Sequence, residues 1–144
     1  MALQAVLFLF LLAAVSACDI KDREIPDSLQ ASIALVSLLR FSPWNLAGAL
    51  TALPYLLVAL AGKEPGGIGG GDIKLAASMG IVLGLPASLA ASVMGLSAFI
   101  VYGLICSFVR RLAGRPGRPV HPAGPFLAAG AATAYFMKIG GWII

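Results

Sequence analysis

Apolar runs dominate this chain, and short polar stretches divide them into six. Residues 1–17, 28–39, 44–62, 73–85, 87–109 and 126–137 are each almost free of charge. A helix needs roughly 20 such residues to cross a bilayer, with a working range of about 17 to 25. The first run lies near the short limit, while the third and fifth are long enough to span unaided. The second ends at Arg40 and is short enough to be tilted or partly re-entrant. Pro26 stops a continuous helix from the first run. Asp27 reads as the next N-cap, with Gln30 at the third helical position as in a capping box. Trp44 enters the third run, as interfacial tryptophans often do. Gly84 and Pro86 break the fourth run from the fifth, and residues 140–144 extend the sixth. No internal repeat is evident. The pattern predicts an all-α fold, a polytopic membrane bundle of about six transmembrane helices, as one domain over 1–144.

Composition agrees with the pattern. The chain is 60% apolar and 11% charged, with a mean hydropathy of +0.96, whereas soluble domains carry about a quarter charged residues. Six crossings put the first, third and fifth connections on one side. These hold Lys21, Arg23, Lys63, Lys74, Arg110, Arg111, Arg115 and Arg118, and only Arg40 and Lys138 fall opposite. Basic residues favour the cytoplasm, so that side is expected to face the cytoplasm, with the N-terminus outside. The net charge of +4 then suits anionic lipid at helix ends rather than nucleic acid. Val15-Ser16-Ala17-Cys18 resembles a lipoprotein cleavage box, but the preceding residues carry no basic side chain. A retained first span is therefore expected rather than a cleaved signal. Cys18 and Cys106 form no Cys-x-x-Cys pair, so neither a zinc ribbon nor a redox motif is supported.

All six acidic residues fall in 19–27 and 64–72, both on the expected cytoplasmic side. A charge beside hydrocarbon is costly and persists where water, a partner or chemistry holds it. The glycine run over 65–71 is no phosphate-binding loop, because Asp72 stands where that loop needs a lysine. One reading is a flexible linker with Asp72 capping the fourth helix. The number of glycines suits instead a carboxylate presented in a crowded bundle, through positive φ and close backbone approach. In the first stretch, Asp22, Arg23 and Glu24 fit a charge-compensated solvated turn, and the spacing of an EF-hand calcium loop is absent. Asp19 follows the first span directly, nearest the hydrocarbon. His121 lies among prolines with no candidate nucleophile beside it, and the serines have no adjoining base.

Asp19-x-x-x-Arg23-Glu24-Ile25-Pro26-Asp27, then Gly69-x-Gly71-Asp72-x-Lys74-Leu75, then Pro122-Ala123-Gly124-Pro125-Phe126-Leu127 together resemble the type IV prepilin peptidases, Gly-x-Gly-Asp aspartic proteases of bacterial membranes. The blocks occur in family order and cover the chain nearly end to end. The resemblance implies a six-helix inner-membrane protease that removes the basic leader of prepilin-like proteins at the cytoplasmic face. It implies Asp19 and Asp72 as the catalytic pair, with Gly69, Gly71, Lys74 and Pro26 as supporting motif positions, and no metal or cofactor. Lys74 would steady Asp72 or meet lipid headgroups. Larger members carry a cysteine-containing insertion and methylate the new N-terminus; nothing here corresponds, so methyltransferase activity is not expected. Glu64 is out of the family's register and receives no role. Substrate identity and oligomeric state stay open. The competing classes are an ion-coupled carrier, whose acids would sit near mid-membrane, and a non-catalytic pilus-assembly scaffold.

Overall fold

The computed structural model describes residues 2–61, 69–114 and 121–143. Among them lie α1 (Ala2–Asp22), α2 (Asp27–Val36), α3 (Ala52–Ala61), α4 (Gly70–Leu83), α5 (Leu85–Leu112) and α6 (Gly124–Ile139). Two 3-10 helices, Ser37–Arg40 and Pro43–Thr51, join α2 to α3. Among the described residues, three helical stretches are long and apolar enough to cross a membrane: Ala2–Asp22, Pro43–Ala61 and Leu85–Leu112. The fold is all-helical, as the apolar pattern predicts. α2 with its 3-10 extension, α4 and α6 rise only about 21 to 24 Å, short of a hydrocarbon core of about 30 Å.

Helix boundaries correct the sequence reading at three places. No breaker follows Ala17, so α1 runs on to Asp22 and Asp19 sits inside its last turns. The chain turns only at Arg23, a non-glycine residue with φ 56°. At α2 the N-cap is Pro26, whose ring offers no capping oxygen, and Asp27 is the first helical residue. The expected capping box does not form: Gln30 Nε2 donates instead to the carbonyls of Ile25 (3.5 Å) and Gly71 (3.2 Å). The third apolar run begins as the 3-10 helix Pro43–Thr51 and becomes α-helical only at Ala52.

Small residues let the helices approach closely, as membrane helices must when hydrocarbon removes the hydrophobic driving force between them. A Cβ on Gly48 would collide with the Gly80 carbonyl, and one on Gly130 would collide with the Ala91 carbonyl. The first contact seats α4 on the 3-10 helix Pro43–Thr51, and the second seats α6 on α5. Phe8, Leu12 and Val15 of α1 are buried with Leu75, Met79 and Leu127. The Phe8 and Tyr135 rings meet at 5.2 Å. Outward faces such as Leu104, Ile105 and Phe108 of α5 are exposed and suit lipid. Side-chain bonds fix the directions: the C-terminus of α1 meets the N-terminus of α6, and the N-termini of α2 and α4 meet. At the other end, Gln4 of α1 bonds the Val36 carbonyl of α2 and Lys138 of α6 bonds the Leu83 carbonyl of α4.

Candidate active site

Where α1 ends and α2, α4 and α6 begin, a cavity of ≈ 320 Å³ opens. Asp19 and Asp72 both line it, together with Arg23, Glu24, Ile25, Asp27 and Gly69 to Gly71. Two acids 53 positions apart in the chain therefore share one space. Lys63 and Glu64 lie outside the described residues, as do Gly66 and Gly67 of the glycine run and Arg115 and Arg118 of the basic loop.

Asp19 is buried. α1 holds it one turn before the chain turns at Arg23, and the start of α6 closes over it: the Gly124 backbone N–H donates to Asp19 Oδ2 at 2.7 Å. A Cβ at position 124 would stand 2.6 Å from that oxygen and 3.0 Å from Asp19 Cβ and Cγ. Only glycine fits there. Pro125, in the first turn of α6, lacks a donor that would be unsatisfied in any case. The third sequence block thus holds the first acid.

Asp72 occupies the third position of α4 and reaches back to the Gly69 N–H at the helix N-cap. It does not cap the helix itself, and it lies outside the three long spans. Burial pushes its carboxyl up to about 6, with the nearby Asp19 charge adding to the rise and the Gly69 hydrogen bond opposing it. The glycines beside it differ from expectation. Gly69 is in extended backbone with φ −69°, which any residue adopts, and a Cβ on Gly70 would meet nothing within 4 Å. Neither positive φ nor crowding explains them here. Bare backbone instead keeps the wall of the cavity clear of side chains beside Asp72. Gly71 is held from above by Ile25, whose side chain lies 3.5 Å from where a Cβ would stand, and by Gln30 at its carbonyl.

Lys74 forms a salt bridge with Asp27 at 2.7 Å. Its side chain is exposed and ties α4 to Asp27, the first residue of α2. Pro26 is exposed and serves to start α2. Sequence reasoning missed Gln30 and Tyr55. The Tyr55 ring of α3 is buried, and its hydroxyl faces Ser92 and feels the Asp72 charge. Neither hydroxyl finds a hydrogen-bond partner among the described residues. No local pattern marks Tyr55, which stands in an unbroken apolar run.

A paired-carboxylate cavity of this kind can hold and polarise a water molecule, and among the described residues no group of acids, histidines and cysteines is arranged to ligate a metal. The sequence model of the type IV leader peptidase family matches residues 6–113. A prepilin leader peptidase/N-methyltransferase of Bacillus subtilis (strain 168) is 36% identical over 138 residues, covering 91% of this chain and 54% of the relative. One from Burkholderia pseudomallei (strain 1026b) is 31% identical over 150 residues, covering 90% of this chain and 47% of the relative. The chain spans about half the length of these curated relatives. No solved structure matches significantly.

Proposed function

The chain belongs to the type IV leader peptidase family, and on that footing we propose that it is a membrane aspartic endopeptidase cleaving prepilin-like leaders at the cytoplasmic face. The observation that carries this reading is the convergence of Asp19 and Asp72 on one cavity at the end of the bundle where the expected cytoplasmic connections lie. Two carboxylates around one water cannot both ionise comfortably and share a proton. Asp72 holds that proton and donates a hydrogen bond to the scissile carbonyl oxygen. Asp19, fixed by the Gly124 N–H, takes a proton from the water as its oxygen attacks the carbonyl carbon. The tetrahedral intermediate then collapses, and the leaving amine takes a proton from the carboxyl pair. Glu24 and Asp27 at the cavity rim attract the basic leader through charge complementarity. The lipid-exposed flanks receive the hydrophobic helix that follows it.

Co-expression with a prepilin tests this: the parent chain removes the leader, seen as a mobility shift and confirmed by the N-terminal sequence of the product. Failure with several prepilins, with the protein folded in the membrane, would favour a scaffold. Proton-coupled uptake into liposomes without cleavage would favour a carrier.

A further inference from the structure

At the opposite end of the bundle a second pocket of ≈ 280 Å³ opens where α1 begins and α2, α4 and α6 finish. Arg40 and Lys138 line it, with Gln4, Ser42, Asn45 and Tyr135 between them. Their charges repel one another across it. No acidic side chain lines the pocket among the described residues, and the acids of the sequence all lie in 19–27 and 64–72. Two like charges converging without an anion cost energy, and the folded chain nevertheless holds them together.

The pocket is built rather than incidental. Lys138 Nζ donates to the Leu83 carbonyl at 2.6 Å, which fixes the ammonium over the end of α4 and leaves further donors free to turn inward. Gln4 is buried and tied on both sides, to the Val36 carbonyl and to the Tyr135 hydroxyl. Asn45 is held against Gly84, whose φ of 78° turns the chain between α4 and α5. Trp44 and Trp142, 86% and 83% exposed, flank the same end, where tryptophans mark the boundary between lipid tails and headgroups.

We propose that this pocket binds a phosphate oxyanion, supplied by the headgroup of an anionic phospholipid in the outer leaflet. Arg40 would present its guanidinium fork to the phosphate and Lys138 a point charge, while Asn45 and Ser42 add neutral donors. The lipid bridges the C-termini of α2, α4 and α6, and so ties together the short helices that do not span on their own.

Melting of the purified protein in mixed micelles tests the site, with phosphatidylglycerol, phosphatidylcholine or inorganic phosphate added in turn. Phosphatidylglycerol is expected to raise the melting temperature relative to phosphatidylcholine, with inorganic phosphate giving little. Arg40→Gln, an exposed position, weakens the apparent lipid affinity roughly tenfold or more, the size of one lost charge-assisted hydrogen bond. Arg111→Gln removes an equal charge at the other end and leaves the affinity within about twofold. Lys138→Gln also removes the bond to Leu83 and so lowers the starting stability, which makes Arg40→Gln the deciding variant. Stabilisation by inorganic phosphate alone that Arg40→Gln abolishes keeps the anion site but overturns the lipid as its source. Equal melting in both lipids, or equal losses for Arg40→Gln and Arg111→Gln, overturns the site itself.

Discussion

Replacing Gly124 by alanine attacks the way Asp19 is held. The added methyl carbon would stand 2.6 Å from Asp19 Oδ2 and 3.0 Å from both Cβ and Cγ, and Asp19 is buried with little room to retreat. The carboxyl must rotate or the start of α6 must lift, and either stretches the 2.7 Å hydrogen bond from the Gly124 N–H. A hydrogen bond to a charged group contributes about 1.5–3 kcal/mol, or roughly 10- to 100-fold in rate if its loss falls on the transition state. Displacing a reacting group by about 1 Å costs on the order of a further 100-fold. Initial rates of leader removal by the purified variant should therefore fall about 10³- to 10⁴-fold. Its melting temperature should move little, because alanine is the better helix former by up to about 1 kcal/mol and offsets part of the crowding. Gly103→Ala, where a Cβ meets nothing within 4 Å, serves as the control and should match the parent. A Gly124→Ala variant cleaving within threefold or so of the parent would refute the reasoning that this contact positions a catalytic acid.

Four further outcomes follow from the same geometry. Because the Asp72 carboxyl is raised to about 6, kcat/KM should carry an alkaline limb near that pH as the pair loses its shared proton. The folded state also binds more protons than the unfolded state between 3.8 and about 6. Stability therefore falls as pH rises through that window, and Asp72→Asn should melt higher than the parent above it and not below. Lys74 and Asp27 are 58% and 75% exposed, so a double-mutant cycle with Lys74→Met and Asp27→Asn should give a coupling of about 0–1 kcal/mol, and Lys74→Met should leave the alkaline limb in place. Gly48→Ala drives a methyl into the Gly80 carbonyl and should lower stability by about 1–3 kcal/mol in thermal unfolding; unchanged melting would mean that the 3-10 helix Pro43–Thr51 does not pack on α4 this closely.

Much of the bundle was legible because apolar runs and their breakers are local signals. Gly84 with Pro86 divides α4 from α5, and Pro26 starts α2, by sterics that need no tertiary context. The ends of helices were less legible, since Asp19 belongs to α1 only because nothing stops that helix before Arg23. Gln30 matched a capping pattern, yet the first turn of α4 offered its side chain the Gly71 carbonyl instead. Lys74 likewise found Asp27, a partner set by how α2 and α4 cross. The two acids stood out in the sequence as charges in an apolar chain, but their shared cavity depends on the end of α1 and the start of α4 reaching the same side of α2. Gly124 was visible as part of a motif, and its reason was not: it is the proximity of Asp19, 105 positions away, that excludes a side chain. Tyr55 left no trace because a buried tyrosine in an apolar run resembles any other core residue.

The most direct test of the central claim compares leader removal by purified Asp19→Asn, Asp72→Asn and the double variant under single-turnover conditions. Carboxylates acting as one unit give losses that do not add. Each single substitution should lower the rate by about 10³-fold or more, and the double variant should be scarcely worse than either. Either single variant retaining a rate within about tenfold of the parent, or a double loss equal to the product of the two, would contradict a shared-proton pair.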